Sequence, residues 1–263
     1  MRPFPAWYAG AVKVRIDKLL VERGLAPSRE RAQALILAGK VLVNQQKAAK
    51  PGTTVAADAA IRLLGEDLRY VSRGGLKLEH ALQRWGIDVR GRVCMDVGAS
   101  TGGFTDCLLQ HGAARVIAID TGYGQIDLRL RQDPRVRLLE RTNARYLRPQ
   151  DIGEPVDFLA MDVSFISVTL VLPAVLKAAL SCQLPVASEK PEIVVLVKPQ
   201  FEVGRELVGK GGIVRDPEAQ QSAVEKVRRA LHELGWTHTD ATESPILGAE
   251  GNREFLLYAR PDH

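Results

Sequence analysis

One short stretch constrains the fold more than any other. An apolar run from Arg92 to Val97 leads into Asp96-Val97-Gly98-Ala99-Ser100-Thr101-Gly102-Gly103-Phe104-Thr105-Asp106, a glycine-rich turn that opens a helix. Glycines at such a turn let backbone approach a ligand closely at the carboxyl edge of a sheet. Further apolar runs follow at Val116 to Asp120, Phe158 to Asp162 and Ile193 to Lys198, separated by helix-length segments, and Arg253 to Ala259 supplies a late strand whose direction the sequence leaves open. Alternation of this kind predicts a doubly wound α/β fold with a mostly parallel sheet. Asp216-Pro217 starts another helix, with Asp as N-cap and Val224, Val227, Leu231 and Leu234 along one face.

The stretch ahead of this pattern has a different character. Ile16, Leu19 and Leu20 repeat at helical spacing until Gly24, and Pro27-Ser28 opens a second helix carrying Ala32, Leu35 and Ile36 and stopped by Gly39. Val41-Leu42-Val43 followed by Asn44-Gln45-Gln46 reads as strand and turn, and Ile61 to Leu64 as a strand after the Pro51-Gly52 break. The boundaries expected are an extension over 1–12, a small α+β domain over 13–66, a linker over 67–73 and the α/β domain over 74–263.

The chain's charge is unevenly placed. Residues 13 to 66 hold ten Lys or Arg against five Asp or Glu, which is the whole net charge of +5; the remainder balances at 26 of each sign. Such clustering points to an anionic partner. The order RIDKLLVERGLAPSRERAQALILAGKVLVN resembles the S4-type RNA-binding domain. That resemblance implies RNA-facing charges at Arg15, Arg29, Arg31, Lys40 and Lys47, against the plainer reading of solvated helix faces. Phosphate contacts of this type give affinity rather than sequence choice.

Composition excludes some classes. Three cysteines, Cys94, Cys107 and Cys182, form no CxxC pair and no histidine stands beside them at metal-ligand spacing, so a reducing cytoplasm and no structural metal are expected. The longest apolar candidate, Val168 to Leu180, is interrupted by Pro173 and Lys177 and falls short of the ~18 residues a bilayer span needs. Residues 1–12 lack the apolar core of a secretory signal. Neither a membrane nor an obligate protein partner is expected.

The glycine loop reads G-x-x-x-G-G rather than G-x-G-x-x-G, which disfavours a dinucleotide. Asp120 ends the next strand, 24 residues after Asp96, where a carboxylate can accept both hydroxyls of an adenosine ribose. DVGASTGGFTD and VIAID together resemble the first two motifs of the class I S-adenosylmethionine methyltransferases, a Rossmann-like fold. The resemblance implies that S-adenosylmethionine binds at Asp96, Gly98, Ser100, Gly102, Gly103, Phe104 and Asp120, with Asn143 near the adenine. A purely structural role for Asp96, capping the loop's amides, is the simpler alternative.

In a doubly wound sheet, polar residues at the carboxyl ends of strands face the ligand crevice. Asp162 ends FLAMD, Lys198 ends EIVVLVK, Glu254 begins REFLLY, and Lys77 follows two glycines in SRGGLKLEHAL. Singly, each has a dull explanation: a cap, a surface lysine, a partner for Arg253, a solvated helix lysine. In order and context they match the Lys-Asp-Lys-Glu catalytic set of the FtsJ-type ribose methyltransferases. The chemistry needs such a set, because a ribose hydroxyl is a poor nucleophile until its proton is removed and the attack must be in line with the methyl–sulfur bond. Lysine, ordinarily protonated with a pKa of ~10.4, becomes a candidate base when a second amine and a sulfonium stand nearby, which favours Lys198. Asp162 would orient it.

SRGGLKL, DVGASTGGFTD, MDVSFIS, VKPQFEVG and GKGGIVRD behind an S4-type domain resemble the TlyA, or haemolysin A, family along nearly the whole chain from Val14. The family implies 2′-O-methylation of cytidine in ribosomal RNA, of one or both subunits. Residues 1–12 and a polar insertion over 181–192 depart from it. Gly204 to Gly212 reads as a lip over RNA or an ordinary loop. The rivals are a base methyltransferase, a membrane-active protein and an RNA-binding protein that keeps only the fold. The prolines of the D-P-P-F/Y loop of amino-methylating enzymes are missing from Asp162-Val163-Ser164-Phe165. Carbon methylation of cytosine would need a cysteine nucleophile in the crevice.

Overall fold

The computed structural model describes residues 13–26, 28–48, 50–64, 69–180, 190–248 and 251–261. The expected extension over 1–12, residues 181–189 of the expected insertion with Cys182, and residues 67 and 68 of the expected linker lie outside the described residues. The chain divides into two units, residues 1–67 and 68–263.

In the first unit, β1 (Lys13–Arg15) runs directly into α1 (Ile16–Glu22), and α2 (Arg29–Leu37) follows. Then come β2 (Val41–Val43), β3 (Gln46–Lys47), β4 (Thr54–Ala56) and β5 (Ile61–Leu63). Ser28 caps α2 by accepting the Arg31 amide at 3.2 Å. The β2–β3 turn is tighter than the sequence suggests: Asn44 and Gln45 both have positive φ, 48° and 68°, and Gln46 already pairs with Val43. Two positive φ values match the right-handed twist of a two-residue hairpin. β3, β2 and β5 form one antiparallel sheet and β1 pairs with β4. Ile16, Leu20, Ala32, Leu35, Ile36 and Val41 are buried between helices and sheet.

The second unit continues with α3 (Gly74–Trp85), β6 (Val93–Val97), α4 (Gly103–Gln110), β7 (Arg115–Ile119), α5 (Leu128–Gln132), β8 (Val136–Leu139) and α6 (Pro149–Ile152). It ends with β9 (Phe158–Met161), α7 (Leu172–Leu180), β10 (Glu192–Val197), α8 (Pro199–Glu202), α9 (Pro217–Glu233), β11 (His238–Glu243) and β12 (Phe255–Arg260). These strands form one sheet in the order β11-β12-β10-β9-β6-β7-β8, parallel from β10 to β8 and antiparallel at β12 and β11. Strand residues alternate between two cores: Met95, Val97, Ile117, Leu159, Met161 and Val195 on one face, Cys94, Val116, Ala118, Phe158, Ala160 and Val194 on the other. Burial on both faces explains why these strands read as continuous apolar runs.

From β6 the chain winds one way through β7 and β8, then returns to the other side of β6 at β9. The switch point therefore lies between β6 and β9, where a crevice opens at the carboxyl ends of the strands. The late strand's direction is now fixed. Because β12 is antiparallel to β10 with Phe255 opposite Val197, Glu254 falls at the same edge of the sheet as Lys198.

Candidate active site

The loop between β6 and α4 is shaped by what surrounds it. Gly98 has φ 89°, and a Cβ there would lie 2.3 Å from the Asp162 carbonyl oxygen, so the β6 and β9 ends approach more closely than any side chain allows. Ser100 also has positive φ and donates its amide to Asp120 Oδ2 at 2.8 Å; the other Asp120 oxygen accepts the Gly122 amide at 2.6 Å. Gly102, φ 96°, precedes α4, and Gly103 lies so close to Ser72 and Gly75 that an added Cβ would come within 2.3 Å of the Ser72 hydroxyl.

Two adjoining hollows share Gly98, Ser100 and Asp162. One, about 220 Å³, is bounded by Arg73, Lys77, Gly103, Phe104 and Leu247. The other, about 280 Å³, is bounded by Asp120, Gln125, Asn143 and Phe165. Of the eight expected cofactor residues, Gly98, Ser100, Gly103, Phe104, Asp120 and Asn143 thus reach the crevice. Gly102 instead packs against Leu130 and Ile126, and Asp96 lies fully buried below the loop.

Asp96 accepts the Thr105 hydroxyl at 2.6 Å, tying β6 to the first turn of α4. Burial pushes its carboxyl up to about 7, with the nearby Asp162 charge adding to the effect and the Thr105 hydrogen bond opposing it. Asn143 Oδ1 accepts the Arg145 amide at 3.0 Å, so its backbone turn is fixed while the residue borders the crevice.

The four candidate chemical residues pair off. Lys77 Nζ lies 2.5 Å from Glu254 Oε2, both side chains nearly buried. Lys198 Nζ lies 2.6 Å from Asp162 Oδ1 and donates to Ser164 Oγ at 2.6 Å. Two of the plain alternatives do not match the contacts: Arg253 approaches Glu243 rather than Glu254, and Lys198 is held by two partners rather than loose in solvent. Glu254 is packed so tightly that a Cβ on Gly248 would lie 2.3 Å from its Oε1.

Sequence reasoning missed three residues here. Ser164 shares the Lys198 amine. Phe165 has φ 64°, is 92% exposed, and sets its ring 5.4 Å from that of Phe201. A positive φ at a bulky residue is a strained conformation of the type that concentrates at functional sites. Glu202, nearly buried, accepts the Ser167 hydroxyl and the Val168 amide at 2.5 and 2.7 Å, joining the loop after β9 to α8. Their sequence signal was membership of MDVSFIS and VKPQFE and, for Ser164 and Phe165, the comparison with the D-P-P-F/Y loop, none of which assigned them a role. The Gly204 to Gly212 stretch forms a single helical turn at Arg205–Leu207 and a bridge between Gly209 and Ile213.

In the first unit, Arg15 and Arg29 both bond to the buried Asp17 carboxylate. Arg31 is half-buried on α2, Lys40 half-buried just after it, and Lys47 exposed on β3.

Residues 70–260 match the FtsJ-like methyltransferase family and residues 14–61 the S4 domain. The chain belongs to the FtsJ-like methyltransferase family. It is 49% identical over 251 residues, 95% of this chain and 91% of the relative, to the 16S/23S rRNA (cytidine-2'-O)-methyltransferase TlyA of Mycobacterium tuberculosis. It is 38% identical to Hemolysin A of Brachyspira hyodysenteriae over 93% of this chain and 99% of that protein. A solved structure of a hemolysin-like protein from Streptococcus thermophilus superposes with a TM-score of 0.70 at 42% identity, covering 96% of this chain and 90% of that one.

Proposed function

We propose that this chain transfers the methyl group of S-adenosylmethionine to the 2′-hydroxyl of a cytidine in ribosomal RNA. The observation that carries the reading is the arrangement of two ion pairs, Lys77–Glu254 and Lys198–Asp162, drawn from four separate elements to one edge of the sheet beside the Gly98 loop. The crevice suits the cofactor: Gly98 and Ser100 border both hollows, and Asp120 and Asn143 supply polar atoms at the end away from Lys77. When bound, S-adenosylmethionine supplies a methyl group on a cationic sulfur.

The chain's own residues supply the rest. Lys198 Nζ, in its neutral form with its extra proton given up to solvent, would take the proton from the 2′-hydroxyl as the oxygen attacks the methyl carbon, the C–S bond breaking to leave S-adenosylhomocysteine; the Asp162 charge and the Ser164 hydroxyl hold that amine in place. Lys77, held by Glu254, donates a hydrogen bond that orients the ribose hydroxyl. The N-terminal unit, with Arg15, Arg29, Arg31, Lys40 and Lys47, holds RNA through its phosphates. In this reading the protein works in the cytoplasm, and among the described residues no helix is long and apolar enough to cross a membrane.

Carbon methylation of the base is disfavoured by the cysteines. Among the described residues the cysteines are Cys94 and Cys107, both buried away from the crevice, and burial pushes both thiols up to about 12, so neither offers a thiolate.

Lys198→Ala and Asp162→Ala should each lower methyl transfer by roughly 10²–10⁴-fold while leaving S-adenosylmethionine binding measurable by calorimetry. Full activity in both variants would remove the catalytic assignment.

A further inference from the structure

Asp17 is an unusual residue to find among the buried positions of a short helix in a small domain. It stands in the first turn of α1 with its side chain fully buried, a state carboxylates reach only when paired. Arg15 grips it in a bidentate manner, Nε to Oδ1 at 3.0 Å and Nη2 to Oδ2 at 2.9 Å. Arg29 Nε donates to Oδ2 at 3.0 Å and Gln33 Nε2 to the same oxygen at 3.1 Å. One carboxylate thereby ties the end of β1, the start of α1 and the first two turns of α2. The paired arginines hold its pKa far below the usual carboxylate range, Arg15 foremost.

Fold stability alone does not account for the cluster. A single cation would neutralise Asp17, and a buried ion pair is weak support for stability in any case. Here a second guanidinium is brought beside the first, at a cost in repulsion. The cluster keeps a net positive charge, and the arginine side chains remain 42% and 46% exposed. Arg15 Nη1 and both terminal nitrogens of Arg29 have no partner among the described residues. Two guanidiniums with spare donors, fixed by a common buried anchor, make a fork suited to the oxygens of a phosphodiester. Arginine rotamer freedom is lost on folding rather than on binding, which favours the bound state.

We propose that Asp17 is a positioning residue that holds Arg15 and Arg29 side by side as a preformed fork for an RNA phosphate. The inference rests on the RNA-binding reading of the N-terminal unit and deepens it. It runs against simple charge counting, since Asp17 subtracts from the positive charge that attracts RNA.

The experiment is filter binding of the full-length protein to deproteinised 16S and 23S ribosomal RNA over a range of salt concentrations. Asp17→Asn raises the net charge, so charge counting expects tighter binding and a steeper salt slope. The fork expects binding about tenfold weaker with a shallower slope. Equal or tighter binding by Asp17→Asn, with its circular dichroism and melting curve intact, overturns the proposal. If Asp17→Asn loses its fold, the double variant Arg15→Lys with Arg29→Lys decides: it keeps both charges but not the fork geometry, so it too should bind about tenfold more weakly, and unchanged affinity overturns the proposal. Wild-type protein that fails to bind RNA in a salt-dependent way sinks the RNA reading itself, and the fork with it. Wild-type binding with unaffected variants sinks only the fork.

Discussion

Asp96 ties the loop to the sheet while carrying a proton that the unfolded chain would release. Its ordinary value is 3.8 and burial lifts it to about 7, so between those limits the folded state binds more protons than the unfolded one. Its contribution is most favourable below about pH 4, is lost progressively as pH rises towards 7, and then levels. Asp96→Asn, which keeps an acceptor for Thr105 but cannot ionise, should flatten that part of the stability profile. Thermal denaturation from pH 4 to 8 checks this, and parallel curves for the two proteins would contradict it. The four proposed chemical residues were legible at this scale because their types stand at strand ends and after a glycine pair. Their pairing was not. Glu254 has Arg253 as its sequence neighbour, yet successive residues at the edge of a strand point apart, so Arg253 reaches Glu243 and Glu254 reaches Lys77. Likewise Asp17 is an unremarkable helix acid until α2 packs against α1.

At the scale of elements, Glu202 joins the two segments that carry Asp162 and Lys198. Its carboxylate receives Ser167 and Val168 from the loop after β9, while its own helix begins at Pro199, next to Lys198. Glu202→Gln, which loses a nearly buried charged acceptor, should cost about 1–3 kcal/mol of stability and lower kcat more than it weakens cofactor binding. Denaturant melts with steady-state kinetics test this; a stability loss with unchanged kcat would confine Glu202 to a purely structural role. Four of the five parallel strands, β6, β7, β9 and β10, were readable in sequence within about a residue of their ends, because burial on both faces demands continuous apolar runs, whereas the half-buried β8 was not read. Nor were others. β11 reads HTDATE, a polar strand at the sheet's edge where charge prevents pairing with another chain. β1 and β4, three residues each, are too short to show a period.

For the whole molecule, the division of charge parallels the division of fold. The excess positive charge lies in residues 13–66, and the balanced remainder builds the sheet whose switch point holds the Gly98 loop. The doubly wound class followed from alternation alone. A methyl donor and a ribose acceptor required the ordered set of Lys77, Asp162, Lys198 and Glu254, whose pairing at one edge of the sheet supports ribose methylation. The direct test is to incubate the protein with deproteinised ribosomal RNA and S-adenosylmethionine labelled on its methyl group, digest the RNA to nucleosides, and cleave the glycosidic bond of the labelled product. Label is expected in 2′-O-methylcytidine and should leave with the ribose. Label that stays on the free base would contradict ribose methylation.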